Sequence, residues 1–231
     1  MKKTEKQGVI SNPIYSAYLK RFFDIMISAS LLAIFSPIMA AIALLVRIKT
    51  GPPVIFAQER PGRNGRIFHF YKFRTMTNDP EEQQHLIPDK ERLTCVGKFL
   101  RETSLDELPQ LWNVLVGDMS LIGPRPLLKR YLPYYTEEEM LRHQVRPGIT
   151  GWAQVHGRSN VPWDERLARD IWYVKNCSML LDARIMIMTI GKVLRRKDIT
   201  VRPDNKLLQY DLDKERSMAE KGGLYEKRVE C

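Results

Sequence analysis

The stretch "ETSLDELPQLWNVLVGDMSLIGPRPL", Glu102–Leu127, decides how this chain is interpreted. It places two adjacent acids, Asp106 and Glu107, at a predicted helix start, and an arginine, Arg125, between two prolines. Unpaired backbone N–H groups and the helix dipole favour a negative charge in a first helical turn. The sequence therefore predicts that Asp106 stays ionised at neutral pH.

The acid pair has a structural and a chemical interpretation. Ser104-x-x-Glu107 matches a capping box, which explains Glu107 without any chemistry. An ionised Asp106 in a positive pocket can instead be a nucleophile towards phosphorus, a metal ligand, or both. Adjacent helical residues point ~100° apart, so the two acids are expected to have different roles. Pro109 is expected to distort or shorten the opening turn.

Basic residues near this stretch are candidate phosphate ligands. Pro124 and Pro126 restrict the backbone around Arg125, which reduces the entropy lost when its guanidinium binds a phosphate. An ordinary Pro-rich turn with an exposed arginine is the structural alternative. If the fold gathers them, the candidates are Lys72, Arg74, Arg101, Arg125, Arg146 and Arg158.

The apolar stretch Ile25–Val46 predicts a membrane segment. As a helix it would measure ~33 Å, against ~30 Å of bilayer hydrocarbon. Ser36 and Pro37 lie at its centre, where proline removes a backbone hydrogen bond and a sharp kink is expected. Basic residues flank both ends, which favours a cytoplasmic location for both. A spanning helix and a re-entrant helix-break-helix both remain open on these grounds.

Composition limits the classes of protein. The 231 residues are 44% hydrophobic and carry a formal net charge of +10, which points to an anionic partner. The three cysteines share no metal-ligand spacing and indicate a reducing compartment. Short strands are predicted at 54–56 and 67–73 around a turn, and helices at 93–101, 136–145, 164–176 and 182–197.

Several long motifs, in order, resemble the small monotopic phosphoglycosyl transferases, the bacterial sugar transferases of the polyprenyl-phosphate type. The resemblance covers roughly Leu19–Arg196. The motifs that carry it are "KRFFDIMIS", "FSP", "FAQERPGRNGRIFHFYKFRTM", "TSLDELPQLWNVLVGDMSLIGPRPL", "RHQVRPGITGWAQVHGR" and "DIWYVKN".

The resemblance implies a reaction and a location. Such enzymes move a phosphosugar from a UDP-sugar to polyprenyl (undecaprenyl) phosphate and release UMP, the first membrane step of glycoprotein, capsule, O-antigen or exopolysaccharide synthesis. It implies that Asp106 is the nucleophile, that Mg²⁺ lies beside Asp106, and that Glu107 assists. Lys72, Arg101 and Arg125 match basic positions near the phosphates, and Ser36-Pro37 matches the break of a re-entrant helix at the cytoplasmic face of the bacterial inner membrane.

The expected fold class is therefore α/β: a mostly helical monotopic membrane enzyme with an N-terminal re-entrant helix-break-helix and short β-strands. The predicted segments are a polar N-terminus (1–18), a membrane hairpin (19–49), a catalytic domain (50–200) and a charged tail (201–231). The rival class is a non-catalytic, membrane-anchored basic protein that binds anionic lipid or nucleic acid; the enzyme hypothesis expects no nucleic acid. The sugar and the glycan pathway stay open, as do a direct transfer without a covalent step and a homodimer.

Overall fold

A computed structural model describes residues 12, 14–77, 93–157, 161–194 and 212. Its largest element is helix α1, Lys20–Lys49, which continues from one π-helical turn, Tyr15–Leu19. By length and composition α1, with that turn, is long and apolar enough to cross a membrane, and most of its apolar side chains are not covered by protein. The predicted apolar segment is therefore one long helix.

Pro37 lies inside α1 and does not divide it into two helices, so the predicted break is not seen as an interruption of the helix. Proline has no N–H to donate to the carbonyl oxygen four residues earlier, that of Ala33. The hydroxyl of Ser36 donates to that oxygen instead, at 2.8 Å. Neighbouring serine hydroxyls are among the groups that satisfy carbonyls freed by proline in membrane helices. The Ser-Pro pair thus supplies its own compensation.

A β-hairpin follows α1. Strands β1, Ile55–Pro61, and β2, Ile67–Phe73, pair antiparallel, with Ile55 opposite Phe73 and Pro61 opposite Ile67. Asn64 in the connecting turn adopts a positive φ of 56°, a conformation that asparagine tolerates better than most residues. The prediction of two strands around "RPGRNG" is confirmed, with β1 longer than expected.

The acid-pair stretch folds as helix, short turn, helix and strand. Helix α2 spans Cys95–Glu102, a 3-10 turn spans Leu105–Glu107, and helix α3 spans Gln110–Val116. Strand β3, Ser120–Ile122, pairs in parallel with β4, Gly148–Thr150. A Cβ atom on Gly148 would lie 2.1 Å from the nitrogen of Gly123, so this close pairing requires glycine.

The segment between β3 and β4 contains two 3-10 helices, Lys129–Tyr134 and Glu139–Gln144. The α-helix predicted from Thr136 is thus a shorter 3-10 helix, although its capping box is present. The backbone N–H of Thr136 donates to the Glu139 carboxylate at 2.7 Å, and the N–H of Glu139 donates to the Thr136 hydroxyl at 3.3 Å. The two bonds satisfy the helix start as predicted.

Three helices complete the described chain: α4, Trp152–Val155; α5, Trp163–Asn176; and α6, Met179–Leu194. The predicted helices near 164–176 and 182–197 correspond to α5 and α6. The main core lies among these helices, β2, α3 and the β3–β4 pair, with Tyr173 and Val174 at its centre. Leu212, the one described residue of the predicted tail, is fully buried beside Leu127 and Leu167.

The N-terminal half of α1 is fixed to this core by buried polar contacts. Lys20 forms an ion pair with Asp182 of α6, and the Tyr173 hydroxyl donates to the same carboxylate at 2.7 Å. One turn later, Asp24 accepts hydrogen bonds from the N–H of Leu121 at 3.0 Å and from the hydroxyl of Ser120 at 3.1 Å. Buried charges need such partners, so these contacts determine where α1 can lie.

The C-terminal half of α1 is held by apolar packing. Ile42 and Val46 are buried against Phe73 of β2 and Leu100 of α2. Both halves of α1, on either side of Pro37, therefore contact the same body of the protein.

Candidate active site

A cavity of about 450 Å³ opens beside the acid pair. Its polar side carries two acids and five cations, and its apolar side comes mainly from α1, β4, α4 and α6. The charged residues that line it are Asp106, Glu107, Lys72, Arg101, Arg125, Arg166 and Lys192. The apolar residues that line it are Leu31, Phe35, Leu108, Leu111, Ile149, Val155 and Val193. The cavity thus lies between a group of cationic side chains and helix α1.

The backbone at the acid pair differs from the predicted helix start. Ser104 has a positive φ of 58°, and its side chain makes no capping bond to the 3-10 turn that follows. Pro109 then precedes the first residue of α3, so the distortion expected from this proline separates the turn from the helix. The capping-box interpretation of Ser104 and Glu107 is therefore wrong. The Glu107 side chain instead lines the cavity.

Asp106 is buried at the cavity wall, with 6% of its surface exposed. Burial and the neighbouring charge of Glu107 raise its pKa to about 6, against the opposing effect of Lys72, Arg101 and Arg125. Its carboxylate accepts no hydrogen bond from the part of the chain that the structure describes. A buried carboxylate that is mostly ionised at pH 7 and whose oxygens are not engaged is suited to act as a nucleophile or a metal ligand.

Glu107 and Arg125 form an ion pair, with 2.5 Å between a guanidinium nitrogen and Oε1. The backbone around Arg125 is fixed as well, because its carbonyl oxygen accepts a bond of 2.7 Å from Arg142. Arg142 in turn pairs with Asp170 at 2.8 Å, and both side chains are almost fully buried. The rigid "GPRP" loop predicted from its prolines is therefore also held by a buried ion pair behind it.

Lys72 and Arg101 approach the acids from β2 and α2. Asn113 of α3 holds β2 in place, since its side-chain oxygen accepts the N–H of Tyr71 at 3.2 Å and its amide donates to the His69 carbonyl at 2.8 Å. Arg101 donates to the Thr75 hydroxyl at 3.0 Å. Burial and the charge of Arg101 lower the pKa of Lys72. Two such cations in a partly buried cavity favour bound anions.

Two predicted phosphate ligands within the described ranges, Arg74 and Arg146, do not line the cavity. Arg146 donates to the carbonyl of Gly117 at 2.9 Å, at the C-terminal end of α3, where a cation also complements the helix dipole. Arg74, one residue beyond β2, donates to the carbonyls of Met76 and Pro52. Arg146 thus contacts the end of a helix in this structure, and phosphate binding by Arg146 stays a prediction. Arg158 lies outside the described residues.

Several cavity residues escaped the sequence interpretation. Arg166 lies in α5, and from sequence alone a charged residue in a helix is interpreted as part of the solvent-exposed surface. Leu31 and Phe35 were assigned to the membrane only. Gln154 and Lys192 gave no signal in their spacing that distinguishes them from other polar helical residues.

The number of carboxylates in the site limits the kind of metal ion that it could bind. Within the ranges that the structure describes, no three His, Cys, Asp or Glu side chains gather into a metal cluster. Mg²⁺ is commonly bound by one or two carboxylates together with substrate phosphates, and keeps several waters. Asp106, with oxygens that no described residue engages, fits that arrangement.

Comparison with known proteins identifies the family. Residues 15–196 match bacterial sugar transferases. The uncharacterized sugar transferase EpsL of Bacillus subtilis is 51% identical over 76% of this chain and 87% of its own length.

Two relatives have names that state a reaction. The UDP-N-acetylgalactosamine-undecaprenyl-phosphate N-acetylgalactosaminephosphotransferase of Aeromonas hydrophila is 43% identical over 81% of this chain. The undecaprenyl-phosphate galactose phosphotransferase of Salmonella typhimurium is 42% identical over 78%. The chain spans only 46% and 41% of the length of these two relatives.

The match of the family over most of the chain confirms both the family and the enzyme class that the motifs predict. On this evidence the chain belongs to the bacterial sugar transferase family.

Proposed function

We propose that this chain transfers a phosphosugar from a UDP-sugar to polyprenyl phosphate and releases UMP. The observation that carries the proposal is the cavity itself, where a buried Asp106 lies among cations and the opposite wall is apolar. A diphosphate requires the cations, and a polyprenyl chain requires the apolar wall. Two relatives whose names state a UDP-sugar and undecaprenyl phosphate support these two substrates. A third relative has a name that states undecaprenyl phosphate and galactose.

Asp106 acts as the nucleophile in the proposed first step. A carboxylate oxygen of Asp106 forms a bond to the sugar-bearing β-phosphorus of the UDP-sugar. The bond from that phosphorus to the bridging oxygen breaks, and its electron pair leaves on UMP. In the second step a phosphate oxygen of the polyprenyl phosphate attacks the same phosphorus. The bond to Asp106 breaks, which restores the carboxylate and gives the polyprenyl-diphosphate sugar.

Both steps bring an anionic nucleophile towards an anionic phosphate, and the two repel each other. The cations of the cavity offset this repulsion. Lys72, Arg101 and Arg125 all stabilise the ionised form of Asp106 by their charge. Preorganised cations of this kind stabilise a transition state without reorganising during the reaction. Glu107 orients Arg125 through their ion pair, and it stands close enough to Asp106 to raise the pKa of that carboxyl.

Mg²⁺ is the proposed cofactor, held by Asp106 and by phosphate oxygens of the substrate. When bound it supplies additional positive charge to the diphosphate. The residues of the chain remain responsible for binding and orienting the substrate.

The proposed membrane arrangement is re-entrant, with both ends of α1 at the cytoplasmic face of the bacterial inner membrane. The contacts of α1 support it: Asp24 bonds to β3 before Pro37, and Val46 packs on Phe73 and Leu100 after it. A helix of 30 residues is ~45 Å long, so a straight spanning helix would carry one end far from the body. Cations at both flanks agree with this arrangement.

The decisive experiment measures UMP release from a panel of UDP-sugars with purified protein, polyprenyl phosphate and Mg²⁺. Release that depends on a particular sugar identifies the donor and narrows the glycan pathway. Omitting the acceptor separates the two steps, because a covalent intermediate gives one UMP per enzyme without it. A phosphosugar adduct on the peptide that contains Asp106, seen by mass spectrometry, is the expected result. No UMP release from any UDP-sugar would instead favour a non-catalytic protein that binds anionic lipid.

A further inference from the structure

Lys72 is held differently from the other cations near the acid pair. Arg101 donates to the Thr75 hydroxyl at 3.0 Å, and Arg125 pairs with Glu107. Lys72 lines the same cavity, but its ammonium has no hydrogen bond or ion pair with any residue in the ranges that the structure describes. A lysine ammonium stands on a flexible stem, so without partners it samples several positions. A separate contact is needed to fix this cation.

The contact that Lys72 does make is with an aromatic ring. Its ammonium nitrogen lies 5.2 Å from the centroid of the Phe56 ring, within the ~6 Å over which a ring face attracts a cation. The register of the hairpin produces this contact, because Phe56 of β1 is directly opposite Lys72 of β2. Residues opposite each other in an antiparallel pair project from the same face of the sheet. The backbone pairing thus places the ring and the ammonium side by side.

Packing in the core does not account for the aromatic ring of Phe56. The side chain is 38% exposed and belongs to none of the three apolar clusters of the described core. Phe70, two residues before Lys72 and on the same face of the hairpin, is by contrast buried in the main core. The contact with Lys72 therefore distinguishes Phe56 from the core aromatic residues.

A ring face suits a lysine that must also bind an anion. It attracts positive charge without acting as a directional acceptor, so N–H donors that point away from the ring stay available to phosphate oxygens. Burial and the charge of Arg101 lower the pKa of Lys72, and the ring offsets part of this penalty on the charged form. Orienting the side chain before a ligand binds also reduces the conformational entropy that binding must overcome.

We propose that Phe56 is a positioning residue, whose ring face holds the Lys72 ammonium at the cavity wall for a substrate phosphate. This inference rests on the proposed function, in which Lys72 offsets the charge of the diphosphate. Phe56 is not among the residues that line the cavity, so it acts through Lys72 and not on the substrate. The effect of changing Phe56 should therefore disappear once the charge of Lys72 is removed.

The first test is a double-mutant cycle on ligand binding, which requires no turnover. The probe is UDP, which carries both phosphates of the proposed donor, measured by calorimetry on the full-length protein in detergent with Mg²⁺. Phe56→Leu should weaken UDP binding about three- to thirtyfold, the range for a partly desolvated cation–π contact. In a Lys72→Gln background the same change should cost less than about twofold. Phe99→Leu is the matched control, because it removes another exposed phenyl ring, from α2.

The second test separates the charge distribution of the ring from its size. Phe56 is replaced in the full-length protein by phenylalanine analogues that carry one, two or three fluorine atoms on the ring. Fluorine withdraws electron density from the ring face, so UDP affinity should fall stepwise with each added fluorine. Fluorination also makes the ring more apolar, and a role in packing alone predicts no such decline. Phe56→Tyr keeps the ring face and should bind UDP within about twofold of wild type.

The outcomes distinguish this role of Phe56 from the proposed function. Equal losses from Phe56→Leu in the two backgrounds, or constant UDP affinity across the fluorinated series, would show that Phe56 acts independently of Lys72. If those losses are equal while UMP release is normal, only the role of Phe56 fails. If UDP affinity depends on the pair but no UDP-sugar yields UMP, only the proposed function fails. Wild-type protein that binds UDP no more tightly than uridine would overturn both.

Discussion

Arg125 offers the sharpest test of the proposed mechanism, because that mechanism gives it two separable tasks. It pairs with Glu107 at 2.5 Å, and it lines the cavity in which the proposed substrate phosphate would bind. Arg125→Ala removes both, Arg125→Lys keeps the charge without the two parallel donors, and Glu107→Gln removes only the acid of the pair. Comparing the three variants therefore separates phosphate binding from the orientation of Glu107.

The magnitudes follow from exposure and charge. The side chains of the pair are 33% and 24% exposed, so the pair itself contributes under about 1 kcal/mol to folding. Loss of a phosphate contact used in the transition state should cost ~2–4 kcal/mol, or roughly thirty- to a thousandfold in rate. Arg125→Ala also raises the pKa of Asp106, since the charge of Arg125 lowers it. The activity loss should thus be far larger than the stability loss.

The assay is the rate of UMP release at saturating Mg²⁺, with melting temperature as the check on folding. Arg125→Lys should fall between wild type and Arg125→Ala. The double variant Arg125→Ala/Glu107→Gln should be clearly slower than Glu107→Gln alone, because the phosphate contact is independent of the pair. Equal rates for those two proteins, or a loss below about threefold in Arg125→Ala, would refute phosphate binding by Arg125.

Three further predictions concern the nucleophile, the membrane helix and the stability in acid. Asp106→Asn should abolish UMP release while circular dichroism stays unchanged, and a near-normal rate in a folded variant would exclude Asp106 as nucleophile. Single cysteines near positions 10 and 60 should both resist a membrane-impermeant thiol reagent in intact cells, whereas labelling of the first alone would show a spanning helix. Burial lowers the pKa of His143 to about 4, so the unfolded chain takes up its proton first as pH falls. The stability due to neutral His143 should be complete above about pH 6.5 and fall by up to ~3 kcal/mol towards pH 4, a slope that His143→Gln should lessen in unfolding experiments.

Much of the fold could be predicted because the signals were local. The "RPGRNG" turn between β-branched and aromatic residues predicts the β1–β2 hairpin, and the apolar periodicity of α5 and α6 predicts helices. The parallel β3–β4 pair was not predicted as a pair, because its partners are three residues each and lie far apart in sequence. Such short strands carry little pattern, and their pairing depends on the close approach of Gly123 and Gly148.

The sequence predicted the site residues that belong to recognisable motifs. It did not predict the residues whose position depends on tertiary contacts. Asp106, Glu107, Lys72, Arg101 and Arg125 do meet in one cavity. Arg146 is an arginine beside a proline, as Arg125 is, yet its guanidinium donates to a carbonyl at the end of α3. Nothing short of the three-dimensional arrangement distinguishes a guanidinium that faces a carbonyl from one that faces a cavity. Arg166 was overlooked for the opposite reason, since a charged helical residue usually faces solvent.

The ion pair between Lys20 and Asp182 has a consequence for biogenesis, because its members are 162 residues apart. At ~5–20 residues per second, the ribosome makes Asp182 about 8–30 s after Lys20. The backbone N–H in β3 that donates to Asp24 is also synthesised later, because it lies 97 residues further along the chain. In the proposed membrane arrangement, helix α1 therefore meets the bilayer before the groups that anchor it have been synthesised. Whatever orientation it takes during that interval must be compatible with the anchors that form later, or be reversed when the domain folds.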